Sequence, residues 1–334
     1  VPEGINIYVL YLLHLSATVA SYWLFAYKDS LLTAHQRVDI ASKVTIVTTT
    51  LQYVLQFVAL AITRNYYLYL IVSLGAQVIN NIVKAIIATN MYPNYSPKGE
   101  MDSEVVAGIN RRIKDLFTAK VGGVIINSAD TLVISAVLGL TVLAIYQNYF
   151  FILSSVIGFV TVVFSACTAG IGNSIIVETK EKNYDDLHKF SFLIFWVSVF
   201  CCSCFLALYQ PFMELWVGRE LMLAYPAVIW FAVYFYINEQ IQLLITYKDA
   251  AGIWHADRFR PLVTSVANLI LNIIFVHFWG IYGVLMATVV SRLAIGIPWI
   301  INNLFTTLFE REKMMDYAKI RLTIRLTIRK SEVR

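Results

Sequence analysis

Long uninterrupted apolar runs recur along this chain, and they constrain its fold more than any other feature. Each run is about 20 residues long, the length that an α-helix needs to cross the roughly 30 Å hydrocarbon core of a bilayer. Within lipid the backbone must satisfy its own hydrogen bonds, so continuous runs of this length predict helices. Only 14% of the residues are charged and 59% are hydrophobic, whereas soluble domains carry about 25% charged residues. The sequence therefore predicts an all-α integral membrane protein.

The apolar runs predict about nine transmembrane helices. They cover residues 5–27, 44–63, 66–90, 119–140, 142–170, 187–209, 221–246, 261–279 and 281–307. An odd number of spans places the two ends of the chain on opposite sides of the membrane. The chain begins with Val1, and no charged signal-peptide start precedes the first run. We therefore expect an N-terminal truncation, with further helices upstream of this sequence.

Basic residues are distributed very unevenly between the two sides that this arrangement defines. Of the 26 Lys and Arg residues, 22 fall in or beside the connections after the first, third, fifth and seventh spans and in the tail. The connections after the second, fourth, sixth and eighth spans contain only Arg64 and Arg219. Basic residues accumulate in cytoplasmic loops. The distribution predicts a multi-pass protein of the cytoplasmic membrane whose C-terminal tail is cytoplasmic.

One polar break divides the array of spans into three plus six. Residues 1–90 contain three spans and residues 119–307 contain six, while residues 91–118 are interpreted as a cytoplasmic amphipathic linker helix on the membrane surface. Residues 308–334 form a basic cytoplasmic tail. Within it, residues 320–329 alternate apolar side chains with Arg or Thr, which is a strand period. We interpret this tail as a segment attracted to anionic lipid headgroups.

Polar side chains inside the spans are the candidates for function. An Asp or Arg at mid-span costs about 2.5–3.5 kcal/mol on insertion scales and usually faces a bundle interior or a wet cavity. Asp130 and Arg292 lie near the middle of their predicted spans, and Lys84 lies on a polar face of the third. Amides accompany them and suggest a polar interior shared by several helices. The alternatives are that the amides only join helices, at about 0.6–2 kcal/mol each, or that Asp130 and Arg292 pair with one another.

Catalytic and metal-binding patterns are lacking in the sequence. It contains no metalloprotease motif, nucleophile elbow or phosphate loop, and the four cysteines lie inside apolar runs without metal or redox spacing. The densest polar loop, residues 248–261, has the acid and base types that an enzyme would use, but it also suits headgroup contact beside a span. The sequence favours a protein that is not an enzyme and that has no cofactor and no metal site.

Several segments resemble polysaccharide flippases, the O-antigen and teichoic-type transporters of the multidrug/oligosaccharidyl-lipid/polysaccharide (MOP) superfamily. The resemblance extends over essentially the whole chain, and its order and spacing are more specific than any one segment. The segments are residues 21–22 with 27–36 (YKDSLLTAHQ), 127–135 (NSADTLVIS) with 139–140 and 145–149 (IYQNY), 215–218 (LWVG), and 257–261 (DRFRP) with Asn268 and 280–284 (GIYGV). The family has two six-helix lobes around a central cavity. By that comparison residues 1–90 would be the last three helices of the first lobe, and residues 119–307 the complete second lobe.

The resemblance implies alternating access and a polyprenyl-pyrophosphate-linked oligosaccharide as cargo. Arg292 and Lys84 would then bind the pyrophosphate, and Asp130 would couple a cation or hold a helix in place. Amide side chains would contact the sugar, namely Asn127, Asn148, Gln242, Asn268 and Asn272. Membrane lipids, a polysaccharide polymerase and glycosyltransferases would be partners, and nucleic acid would not. A cation-coupled drug or metabolite antiporter and a membrane-embedded glycosyl- or acyl-transferase remain as alternatives.

Overall fold

The structure is a computed structural model that describes residues 6–35, 37–95 and 101–317. Every regular element in these ranges is helical. The elements are α1 Ile7–Trp23, α2 Ala26–Ala34, α3 Val38–Thr63, α4 Tyr66–Met91, α5 Ser103–Val133, α6 Leu140–Val177, α7 Lys180–Val217, α8 Tyr225–Ala250, α9 Arg260–Ser291 and α10 Ile297–Thr307. The π-helical segment Ile134–Leu138 follows α5, a 3₁₀ turn spans Arg219–Leu221, and the π-helical segment Arg292–Gly296 joins α9 to α10.

Seven helical stretches of the described residues are long and apolar enough to cross a bilayer. Their large apolar side chains stay exposed over much of their length, for example Phe57 on α3, Phe159 on α6 and Phe200 on α7. A water-facing surface does not carry continuous apolar area of this extent. The chain is therefore an all-α membrane protein, as predicted. The total of nine spans stays a prediction, since α1 has only 17 residues and the last stretch contains a reversal.

That reversal lies at Gly280, inside α9. Its φ of 56° and ψ of −132° are not helical, and this backbone region is essentially restricted to glycine. After the turn the chain runs back along itself, so that a Cβ on Gly283 would stand 2.2 Å from the carbonyl oxygen of Phe275. Helix α9 is thus a hairpin of two antiparallel arms, residues 260–279 and 281–291. The turn falls at the gap predicted between the eighth and ninth spans.

The first compact unit is residues 1–100, and α4 is its central helix. Helices α1, α2 and α3 all pack against α4. Polar side chains join α3 to α4: the Gln52 amide donates to the Ser73 hydroxyl at 3.1 Å, and the Gln56 amide donates to the Tyr69 carbonyl at 3.1 Å. Since lipid gives no hydrophobic drive between helices, such hydrogen bonds are a main source of specific helix pairing.

The second compact unit is residues 101–334, and α8 is its central helix. In the apolar stretch of α8, 61% of residues are buried, against 11% in that of α6. Helices α6, α7 and α9 surround α8. Stacked aromatic rings form much of the core, with the Tyr149 ring centroid 5.9 Å from that of Phe231 and 5.3 Å from that of Tyr209. A buried helix of this kind can place polar side chains away from lipid.

Helix α5 differs from its sequence-based description. The sequence predicts a linker helix within residues 91–118 and a separate span from residue 119, but one helix runs from Ser103 to Val133. Residues 103–133 contain no proline, so nothing in the sequence forces the helix to end between the two parts. Asp102 caps its N-terminus by accepting from the Glu104 N–H at 3.2 Å. The predicted strand-like alternation at residues 320–329 lies outside the described residues.

Candidate functional site

Asp130 lies in the interior of the second unit, where it accepts hydrogen bonds from three neutral side chains. It is 8% exposed. The Asn272 amide donates to Oδ1 at 2.7 Å, and the Thr288 hydroxyl lies 3.0 Å from both carboxylate oxygens. The Tyr146 hydroxyl approaches Oδ2 at 3.5 Å. Because these donors sit on α6 and on both arms of α9, the carboxylate of α5 joins four helical segments.

Asn268 and Asn272 extend this cluster along the first arm of α9. Both side chains are fully buried, and their i, i+4 spacing places them on one helical face. The Asn268 amide donates to the Thr288 hydroxyl at 2.9 Å, and the Asn272 amide is 3.3 Å from the Asn268 oxygen. Asn272 Oδ1 is buried without a hydrogen-bond donor among the described residues. A buried acceptor of this kind is costly to leave empty and could accept from a ligand hydroxyl.

Arg292 is held by neutral side chains of α8. Its Nη1 donates to Asn238 Oδ1 at 2.5 Å and its Nη2 donates to the Tyr234 hydroxyl at 3.1 Å. The guanidinium carbon also lies 4.7 Å from the centre of the Tyr234 ring, a cation–π distance. In the described part of the chain no ion pair joins Arg292 to Asp130 or to any other carboxylate. Asp130 and Arg292 therefore do not form the direct ion pair that the sequence left open as an alternative.

Both charged residues adjoin a widened helical turn. The π-helical segment Ile134–Leu138 begins four residues after Asp130 and ends before Gly139, whose φ is 88°. The π-helical segment Arg292–Gly296 begins at Arg292 itself. Single π turns interrupt the regular helical hydrogen bonds and occur frequently at functional sites. Their position beside Asp130 and Arg292 supports a functional interpretation of this interior.

Glu239 is a further buried carboxyl group that sequence reasoning did not select. Its side chain is 0% exposed. Oε1 accepts from the Asn238 amide at 3.2 Å, while Oε2 is buried without a hydrogen-bond partner among the described residues. Asn238 therefore stands between Glu239 and Arg292. The sequence shows Asn238 and Glu239 in one apolar run, but only the helix packing reveals that they belong to the Arg292 group.

The remaining predicted residues do not join Asp130 and Arg292. Gln242 and Asn148 are half-buried and Asn127 is exposed, and none of them has a hydrogen bond to either charged residue among the described contacts. The role of Asn127 as a sugar contact stays a prediction. Lys84 belongs to the first unit, where its Nζ lies 3.5 Å from the Asp29 carboxylate.

The polar loop between α8 and α9 is fastened by a buried ion pair. Asp257 is 1% exposed, and its carboxylate accepts two hydrogen bonds from Arg260, at 2.7 and 2.9 Å. The Asn303 amide donates to it at 3.1 Å, and the Lys248 ammonium lies 3.6 Å away. This bidentate pair holds the loop on α10 and orders the start of α9. The Asp257 carboxylate thus has structural partners on three helices, namely Lys248 on α8, Arg260 on α9 and Asn303 on α10.

The same loop is also tied to the N-terminal half of α5. Asp115 accepts from the His255 ring at 2.8 Å and from the Arg258 guanidinium at 3.2 Å. Deeper along α5, a Cβ on Gly122 would stand 2.3 Å from the backbone nitrogen of Leu262. Helix α5 therefore contacts the loop at Asp115, and it contacts α9 itself at Gly122 and at Asp130.

Comparisons with protein-family models, with curated proteins and with solved structures found no match. The functional argument accordingly depends on the geometry of the site. That geometry consists of a buried carboxylate among neutral donors and a guanidinium without an acidic partner among the described residues, both inside a membrane-spanning bundle. In the ranges that the structure describes, no cluster of three or more His, Cys, Asp or Glu side chains is arranged to hold a metal ion.

Proposed function

We propose that this chain belongs to a transporter that flips polyprenyl-pyrophosphate-linked oligosaccharide across the cytoplasmic membrane. The observation that carries the proposal is Arg292, a cation inside a membrane-spanning helix with no carboxylate within 4.0 Å among the described residues. Such a charge costs about 2.5–3.5 kcal/mol at mid-membrane and marks substrate pathways when it faces the bundle interior. The neutral contacts to Tyr234 and Asn238 orient Arg292 without neutralising it.

The chemistry of the cargo matches what Arg292 offers. A pyrophosphate group carries oxygens that a planar guanidinium can bind by two parallel hydrogen bonds. Asn268 and Asn272 are buried in the same unit, and Asn272 Oδ1 lacks a hydrogen-bond donor among the described residues, a position that a sugar hydroxyl could fill. Gln242, Asn127 and Asn148 are the further proposed sugar contacts. The polyprenyl chain would remain in the bilayer.

The mechanism that we propose is alternating access, with the cargo serving cell-surface polysaccharide synthesis. The distribution of basic residues supports a cytoplasmic location for the C-terminus. Under this proposal a polysaccharide polymerase and glycosyltransferases act beside the transporter.

The test is flipping of a fluorescent polyprenyl-pyrophosphate oligosaccharide by the full-length transporter in proteoliposomes. Arg292→Gln should abolish flipping while thermal stability is preserved, since the guanidinium has no acidic partner to leave behind. Arg292→Lys should retain part of the activity, because an ammonium keeps the charge but not the planar fork. Arg219→Gln is the matched control, since the Arg219 side chain is 82% exposed and pairs with Glu214 at 2.6 Å. Normal flipping by a stable Arg292→Gln protein would remove the proposed role.

A cation-coupled antiporter is the second candidate, and the surroundings of Asp130 favour it. A buried carboxylate whose hydrogen bonds all come from neutral groups can bind and release a proton or a metal cation without breaking an ion pair. Such an antiporter would lose proton-driven dye efflux in Asp130→Asn and keep it in Arg292→Gln. The flippase would instead lose its activity in Arg292→Gln. Assaying the two variants side by side therefore distinguishes the candidates.

A further inference from the structure

The first unit contains a cleft of about 440 Å³ that is separate from the residues discussed above. It is formed where α2 begins, against the C-terminal half of α4. Its lining combines an aromatic and aliphatic floor with three polar side chains. The lining residues are Phe25, Tyr27, Lys28, Ile82, Ala85, Ile86, Thr89 and Asn90. None of them is acidic.

Lys28 is the unusual member of this lining, because it is buried without a counter-charge. The residue is only 9% exposed. Among the described residues it takes part in no ion pair, and its nearest recorded partner is the ring of the adjacent Tyr27, 5.7 Å from the ammonium. The neighbouring carboxylate, Asp29, lies 3.5 Å from Lys84 instead. A buried ammonium needs a partner to offset its lost hydration.

The backbone around Lys28 adds to the positive potential. Helix α2 begins at Ala26, so Lys28 lies in the first turn, and Phe25 before it has a left-handed φ of 56° and no side-chain acceptor to cap the helix. The N-terminus of a helix carries a partial positive charge and disfavours a cation there. The same end favours a bound anion, since its N–H groups and its dipole both point at the ligand. An anion in the cleft would therefore offset both the positive charge of Lys28 and the partial positive charge of the helix N-terminus.

We infer that this cleft binds a phosphate group, with the Lys28 ammonium as its cationic ligand. Asn90, on α4, lines the same cleft and supplies an amide for phosphate oxygens, while the Thr89 hydroxyl beside it donates to the Ala85 carbonyl at 2.8 Å. Apolar side chains of α4 and Phe25 border it, which suits a phosphate attached to an apolar body as well as a free one. The distribution of basic residues places Lys28 on the predicted cytoplasmic side. The inference concerns the first unit alone and does not depend on the proposed cargo.

Two sources of phosphate share this chemistry, and one experiment separates them. The full chain in detergent is titrated with inorganic phosphate and, in a second arm, with a short-chain phosphatidic acid, while thermal unfolding and heat of binding are recorded. A third arm compares vesicles of phosphatidylcholine with and without phosphatidic acid. Lys28→Gln is the test variant, Lys28→Arg the conservative one, and Lys43→Gln the control, since the Lys43 side chain is 79% exposed in the same unit.

We expect Lys28→Gln to weaken phosphate binding about tenfold or more, because hydrogen bonds to charged groups are the strong ones. Lys43→Gln should bind like the unsubstituted chain, and Lys28→Arg should restore binding. Stabilisation by inorganic phosphate would show that the phosphate group alone is sufficient. Stabilisation by phosphatidic acid but not by inorganic phosphate would identify a lipid headgroup as the ligand. Either outcome supports the site. The inference is overturned if no arm stabilises the chain, or if Lys28→Gln and Lys43→Gln bind equally well.

Discussion

Gly122 allows the closest approach between α5 and α9, and replacing it tests how tightly those helices must pack. A Cβ at this position would stand 2.3 Å from the Leu262 nitrogen and 2.5 Å from the Pro261 carbonyl carbon. Ordinary contact needs about 3.5 Å, so Gly122→Ala forces the two backbones apart by roughly 1 Å. Both obstructing atoms belong to the backbone, and no side chain can rotate away to make room.

The adjacent glycine is a matched control for this substitution. Gly123 is in the same helix, and a Cβ there would meet nothing within 4 Å. Either change to alanine gains about 1 kcal/mol of helix propensity, so this contribution cancels when the two variants are compared. The difference between them is then the steric cost alone, about 1–3 kcal/mol for overpacking. For a unit of this size, each kcal/mol of this steric cost lowers the Tm of Gly122→Ala relative to that of Gly123→Ala by about 2–4 °C.

A thiol-reactive fluorogenic dye can measure this gap during thermal unfolding in detergent. The four free cysteines, Cys167, Cys201, Cys202 and Cys204, are partly buried and all belong to the second unit, so the dye reports on the unfolding of that unit. Gly122→Ala should unfold at a lower temperature than Gly123→Ala. Equal Tm values for the two variants would refute the close packing of α5 on α9.

Two further substitutions test the turn and the loop that shape α9. Gly280→Ala should destabilise the second unit by about 1–3 kcal/mol, because its φ of 56° with ψ of −132° excludes an L side chain; a Tm no lower than that of the unsubstituted chain would contradict the hairpin. Asp257→Asn should cost about 3–5 kcal/mol, because it leaves the buried Arg260 without its counter-charge. Asp249→Asn, at a carboxylate side chain that is 43% exposed, should change the unfolding temperature little, and equal losses in both variants would argue against the buried pair.

The sequence predicts the membrane helices well because their signal is local. Apolar runs of bilayer length are visible without knowing what they pack against, and even the reversal at Gly280 falls in the predicted gap between two runs. The linker helix was predicted from its charged, amphipathic composition. Its continuity with the next span depends on the absence of any residue that would end α5, a weaker signal than the change in composition at residue 119.

The candidate site is less accessible to sequence reasoning, because its contacts depend on helix register. Asp130, Asn268 and Asn272 could be selected by the cost of polar groups in lipid, and the structure brings these three together. Thr288 and Tyr146 complete the cluster but are ordinary residues in a span, and only their packing shows that they face Asp130. Asn127, Asn148 and Gln242 satisfied the same cost argument and lie outside the cluster, since that argument says nothing about which face of a helix is buried.

The contacts that α5 makes with α9 differ from those that Arg292 makes with α8, and the difference bears on the proposed alternating access. Helix α5 is joined to the preceding loop at Asp115 and to α9 at Gly122 and Asp130. These three positions are spaced by about two helical turns each and lie on one face over about 22 Å. The close backbone approach at Gly122 and the hydrogen bonds of Asp130 hold these helices together. Arg292, in contrast, is attached to α8 by two neutral side chains and begins a π-helical turn. Under the proposed alternating access, we therefore expect the contact between Arg292 and α8, rather than that between α5 and α9, to exchange for a ligand.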